Sequence, residues 1–141
     1  MAIKTTRWAP DTCNCEIEYN WDDEVPESER VLTLSNVIKK CPNHSSLSDS
    51  NVYASVRDEN PRKNIALERC LSLGPAALFD TTPEGSRVLK NGLSFNFSFT
   101  GTAPDRVLTI GFTGINLTTQ QKNLLQSALD TRFGTGRVLI A

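Results

Sequence analysis

The sequence predicts a mixed α+β protein: an N-terminal β-hairpin plus helices, then a C-terminal lobe of order ββαβ. Three observations carry this. Apolar and polar side chains alternate around Ile17, Tyr19 and Trp21, and again around Phe95, Phe97 and Phe99, the period of half-buried strands. Two other segments place apolar residues three and four apart, the helical period. Clusters of Gly, Pro, Ser and Asp separate the two kinds of segment, with no internal repeat in the 141 residues.

Along the chain, Glu16–Trp21 reads as a first strand and Asp22–Arg30 as an acidic turn containing Pro26. Val31–Lys40 is the second strand, with Val31, Leu32, Leu34, Val37 and Ile38 as its apolar members. If Cys15 lies opposite Lys39, then Asp22 lies opposite Leu32 beside the turn, which is the register of an antiparallel hairpin. Ser45–Asn51 supplies helix-capping residues ahead of Val52, Tyr53 and Val56. Pro61 should interrupt that helix or begin a new one, because Asn60 can cap and Pro suits a first helical position. A helix over Asn60–Ser72 then offers Ile65, Leu67, Cys70 and Leu71 for burial and stops at Gly74-Pro75. Residues 75–92 mix Gly and Pro with few periodic apolar residues and read as a linker between domains at 1–74 and 93–141.

Beyond it, Leu93–Thr100 is the clearest strand in the chain, and the turn Gly101–Asp105 leads to a partner strand, Val107–Phe112. Thr118 and Gln121 form a capping box. Leu124, Leu125, Ala128 and Leu129 share one stripe of the helix that follows, Gly134 ends it, and Val138–Ile140 is a short final strand.

Fifteen Lys and Arg against sixteen Asp and Glu leave a formal net charge of -1, which provides no long-range attraction to nucleic acid or anionic membranes. No stretch reaches the roughly 20 apolar residues of a membrane helix, and Met1–Pro10 lacks the apolar core of a secretory signal. A protein that is not secreted is therefore expected, and three Asn-x-Ser/Thr matches carry no weight in it.

In a reducing location, paired cysteines point to metal more than to disulfides. The strongest constellation is Cys13-Asn14-Cys15 with Cys41-Pro42-Asn43-His44, two short pairs of nitrogen and sulfur donors of the kind zinc takes in a tetrahedron. The hairpin register brings both pairs to one end, and Cys13 and Cys15 share parity with Ile17, Tyr19 and Trp21, so a metal would extend the buried face. Four protein ligands fill a zinc ion and leave no place for a reactive water, the pattern of a single structural Zn2+. Buried thiols without metal are the competing reading, a disulfide a remoter one, and Cys70 is a helix core residue that could exchange with one of the three other thiols.

Trp8-x-Pro10-Asp11-Thr12-Cys13-x-Cys15, with Ile17, Tyr19 and the later Cys41-Pro42-x-His44, resembles small uncharacterised proteins of tailed bacteriophages, over the N-terminal half only. The resemblance implies a viral origin, hence the host cytoplasm or the virion, and no assigned activity.

Other chemistries are less well supported. Gly111-Phe112-Thr113-Gly114 and Gly134-Thr135-Gly136-Arg137 lack the Gly-Lys-Ser/Thr ending of a phosphate loop. Asp22, Asp23, Glu24, Glu27 and Glu29 sit in a turn, where solvated charge is the ordinary explanation. With His44 assigned to metal, no catalytic base remains for a Ser or Cys nucleophile, so neither an enzyme nor a small-molecule substrate is expected. The expected function is macromolecular interaction or virion assembly through a protein partner or a homo-oligomer, since the Phe95/Phe97/Phe99 strand and Val138–Ala141 are hard for one small lobe to cover. Nucleic acid is the rival partner, through Lys39, Lys40, Arg57, Arg62, Lys63 and Arg69 with Trp8, Tyr19 and Trp21 as stacking platforms.

Overall fold

The computed structural model describes residues 2–141 and is mixed α+β. Strands β1 (Ile3–Trp8), β2 (Glu16–Asp22) and β3 (Thr33–Lys39) form an antiparallel sheet in that order. Helix α1 (Asp49–Leu73) follows, then a short hairpin of β4 (Phe79–Thr81) and β5 (Arg87–Leu89). Strands β6 (Ser94–Thr100) and β7 (Val107–Thr113), helix α2 (Thr119–Phe133) and β8 (Val138–Ile140) complete the chain as ββαβ. Two compact units result, one running to Asn60 with Thr102–Pro104, the other comprising Pro61–Gly101 and Asp105–Ala141.

In the first unit the expected hairpin forms, with Ile17 opposite Val37 and Glu18 opposite Asn36. The register slips on either side of these pairs, so Lys39 meets Glu16 instead of Cys15, and Tyr19 meets Leu34. β1 adds a third strand that its sequence hardly announces. Ile3, Thr5 and Arg7 are exposed and the strand buries no apolar alternation, although Ile3, Thr5, Thr6 and Trp8 all favour extended backbone. Ile17 and Tyr19 are buried against Val56, with Trp8, Leu34 and Tyr53 around them.

Pro61 neither breaks α1 nor starts a second helix; it lies on the exposed side of one continuous 25-residue helix. A proline at that depth removes one backbone hydrogen bond and crowds the preceding turn. The helix persists because residues on both sides of Pro61 are packed: Val52, Val56 and Glu59 before it, Ala66, Cys70 and Leu71 after it. Gly74 terminates it, its N–H donating to the Cys70 carbonyl at 2.7 Å, where a Cβ would come within 2.5 Å of that same oxygen.

In the second unit, residues 75–92, read from the sequence as a linker, carry secondary structure of their own. They hold a turn of 3-10 helix at Ala76–Leu78, which buries Leu78, and the β4–β5 hairpin. The three-stranded sheet has the order β6-β7-β8, with β6–β7 antiparallel and β7–β8 parallel. Leu108, Ile110 and Val138 from the sheet and Leu125 and Leu129 from α2 are buried with Ala66, Cys70, Leu71 and Leu78. The Thr118/Gln121 capping box is present in both directions, and Gly134 follows α2 at φ 97°. Leu124, expected on the buried stripe, is 59% exposed, because the buried face of α2 is centred on Leu125 and Leu129, four apart.

Candidate metal centre

Cys13 and Cys15 precede β2, while Cys41 and His44 lie just beyond β3, so the hairpin delivers both pairs to one end. Their three Sγ atoms and one imidazole nitrogen all lie within 4.8 Å of one another. Bonds of about 2.0–2.3 Å from a central ion place tetrahedral donors roughly 3.5–3.8 Å apart, so small side-chain shifts from the observed spacings would give a mononuclear metal site. Cys15, Cys41 and His44 are buried, and Cys13 is partly covered. Cys15, Cys41, Val37 and Val52 pack as one core cluster, so the donors replace aliphatic side chains in this part of the unit.

The local backbone is shaped for convergence. The Cys41 N–H donates to Cys15 Sγ at 3.2 Å, and the His44 N–H closes a turn through Pro42 onto the Cys41 carbonyl at 3.0 Å. The next turn, Leu47 N–H to the His44 carbonyl, is held by Lys40 Nζ, which donates to the Leu47 carbonyl at 2.7 Å and pairs with Asp49 at 3.1 Å.

His44 Nδ1 faces the sulfurs, 2.8 Å from Cys41 Sγ and 3.6 Å from Cys15 Sγ. Nε2 lies 3.1 Å from Glu59 Oε2, and both side chains are fully buried. Binding a metal through Nδ1 would put the imidazole proton on Nε2, where Glu59 Oε2 can accept it, whereas the hydrogen bond that lowers the Cys41 thiol has that proton on Nδ1. Sequence reasoning missed Glu59. The signal was available in α1, since Val52, Val56 and Glu59 follow one another at helical spacing and place the carboxylate on the buried stripe.

Burial pushes the Cys13 thiol up to about 12, aided by the nearby Cys15 and Cys41, and burial likewise raises Cys15. Burial also acts on Cys41, but hydrogen bonds with His44, Cys15 and the Asn43 backbone outweigh it and lower this thiol to about 7. Cys41 is thus the thiol that loses its proton first, and a cation bound here would supply the charge that the other two require.

The structure brings together all four expected donors. Cys70 belongs elsewhere: it is buried with Ala66, Leu71 and Leu78 in the second unit, and burial raises its thiol to about 12. All four cysteines are free thiols. Of the side chains considered for nucleic acid, Tyr19 is 5% exposed and packs in the core, tilted against Trp8 and edge-to-face with Tyr53, at centroid distances of 6.2 and 5.4 Å. Arg62 is buried and donates to the Arg106 carbonyl at 2.7 Å, and Trp21 is covered by Arg30 at 4.3 Å. The acidic turn carries a short 3-10 segment at Glu27–Glu29 whose side chains are exposed. No helix among the described residues is long and apolar enough to cross a membrane. No protein-family model, curated protein or solved structure matches the chain, so the metal-binding cluster is the feature from which its chemistry is read.

Proposed function

We propose that Cys13, Cys15, Cys41 and His44 bind one structural zinc ion, and that the protein is a non-catalytic interaction or assembly component of a tailed bacteriophage. The observation that carries the zinc reading is the convergence of three sulfurs and one correctly oriented imidazole nitrogen within 4.8 Å in a buried cluster. Three thiolates and one imidazole are borderline-soft donors that suit zinc over magnesium or calcium, which take oxygen. A closed set of four protein ligands leaves the ion no substrate position, and Glu59 serves to hold His44 in place. The Trp8 to His44 motif supports the phage reading. In the second unit, an open groove of about 550 Å³ is lined by Asn96, Phe97, Phe112, Leu117 and Lys122 among others, with no histidine, cysteine or acidic side chain. That lining also favours a non-catalytic role.

Native mass spectrometry with elemental analysis tests the zinc assignment. The expected result is one zinc per chain, retained in Cys70→Ala and lost in Cys41→Ser. A metal-free protein with unchanged stability in chelator would overturn it.

A further inference from the structure

The C-terminal sheet has two edges, and they are finished differently. On β8 the carboxamide of Gln126 acts as a substitute strand: Nε2 donates to the Val138 carbonyl at 2.7 Å, and Oε1 accepts from the Ile140 N–H at 2.9 Å. That edge is closed by the protein's own helix. β6, the opposite edge, is seven residues long and carries no charged residue and no proline.

The peptide groups that β6 presents outward follow from the ladder. Leu108 donates to the Arg137 carbonyl, and the Ile110 carbonyl accepts from Ala141, so even-numbered β7 residues face β8 and odd-numbered ones face β6. In β6 the partners of those odd residues are Ser94, Asn96, Ser98 and Thr100. Phe95, Phe97 and Phe99 therefore direct their N–H and C=O groups away from the sheet, and the Phe99 carbonyl indeed accepts from Arg106 at 3.0 Å. Among the described residues, no backbone hydrogen bond other than the β7 ladder reaches this strand.

We propose that β6 is a self-association edge, pairing antiparallel with β6 of a second copy about a two-fold axis at Phe97. The strand reads almost identically in both directions. Centred on Phe97, Phe95 meets Phe99 of the second copy, Asn96 meets Ser98, and Ser94 meets Thr100. Every pair matches aromatic with aromatic or small polar with small polar, the condition an isologous interface imposes. The three phenylalanines are partly exposed, and extending the sheet covers more of them while filling the outward peptide groups. The Phe99 carbonyl is already taken by the buried Arg106, so the pairing uses the outward groups of Phe95 and Phe97 and the Phe99 N–H. This pairing extends the assembly reading above by naming its surface and its partner, and it does not depend on zinc.

Light scattering coupled to size exclusion should show a dimer that dissociates on dilution. Asn96→Lys with Ser98→Lys places like charges opposite each other twice and should weaken association at least about tenfold, as should the Asn96→Glu, Ser98→Glu pair. Mixing the two variants should restore a heterodimer. In the unaltered protein, amide exchange at Phe95 and Phe97 should slow as concentration rises, a readout independent of any variant's folding. A monomer at about 100 μM, exchange independent of concentration, or a dimer that survives both charged variants would overturn the proposal. A monomer that still carries one zinc would reject the β6 pairing and leave the metal assignment standing.

Discussion

The two units of this protein stabilise themselves by different chemistry. The second has an aliphatic centre, in which Leu108, Ile110, Leu125, Leu129 and Val138 are essentially inaccessible to water. In the first, Val37 and Val52 share their cluster with Cys15 and Cys41, and His44 and Glu59 are buried in the same unit. Burying a carboxylate and an imidazole is costly unless each is bonded, and the pair here answers that by facing each other at 3.1 Å. A metal bound by Cys13, Cys15, Cys41 and His44 would turn these donors from a liability into a cross-link joining the start of β2, the end of β3 and, through Glu59, helix α1. The contrast is between a core closed by aliphatic packing and one whose closest-packed groups are metal-type donors, which coordination would complete.

The two units should differ most in their response to loss of metal. Structural zinc contributes on the order of 10–16 kcal/mol in small domains, more than the whole stability of most. Chelation or Cys15→Ser should therefore abolish amide protection at Ile17, Tyr19 and Val37 while Leu108, Ile110 and Leu125 remain protected. Uniform loss across both units in hydrogen exchange would remove the distinction drawn here.

Leu129→Ala is the reciprocal test. It should cost about 2–5 kcal/mol through lost burial and the cavity left behind, measured by urea denaturation, without changing zinc stoichiometry. Smaller again is the effect of Glu59, which holds His44 from behind: Glu59→Leu should weaken zinc binding about 10–100-fold in competition with a chromogenic chelator. Unaltered affinity would mean that His44 needs no orienting partner.

The smallest effect concerns Cys70. Burial raises its folded-state pKa from the ordinary 9.0 to about 12, so its contribution to stability is fully present below about pH 9 and declines as pH rises toward 12. Cys70→Ala should flatten that alkaline decline in thermal melts and leave metal content intact. An unchanged alkaline limb would place its origin in other groups, such as Tyr19, which burial also raises to about 12.

Much of this was legible because it is local. Period-two alternation located β2, β6 and β7, the capping box located the start of α2, and two Cys/His pairs at the ends of a hairpin located the metal cluster. The elements that escaped sequence reasoning lack a local signature. β1 is a largely exposed strand whose pairing partner defines it, and β4 and β5 are three residues each. Pro61 argued for a break that packing on both sides of it overrides.

The α+β class, the four donors and the alternation along β6 could all be read from residue type and spacing alone. Packing of separate elements was needed to put Glu59 behind His44, to assign Cys70 to another core, and to let Gln126 close one sheet edge while Arg106 reaches only the Phe99 carbonyl on the other. The Glu59 and Gln126 contacts join residues 12 to 15 positions apart across separate elements. Side-chain placement at that range follows from how elements pack, and no periodicity within a single segment encodes it.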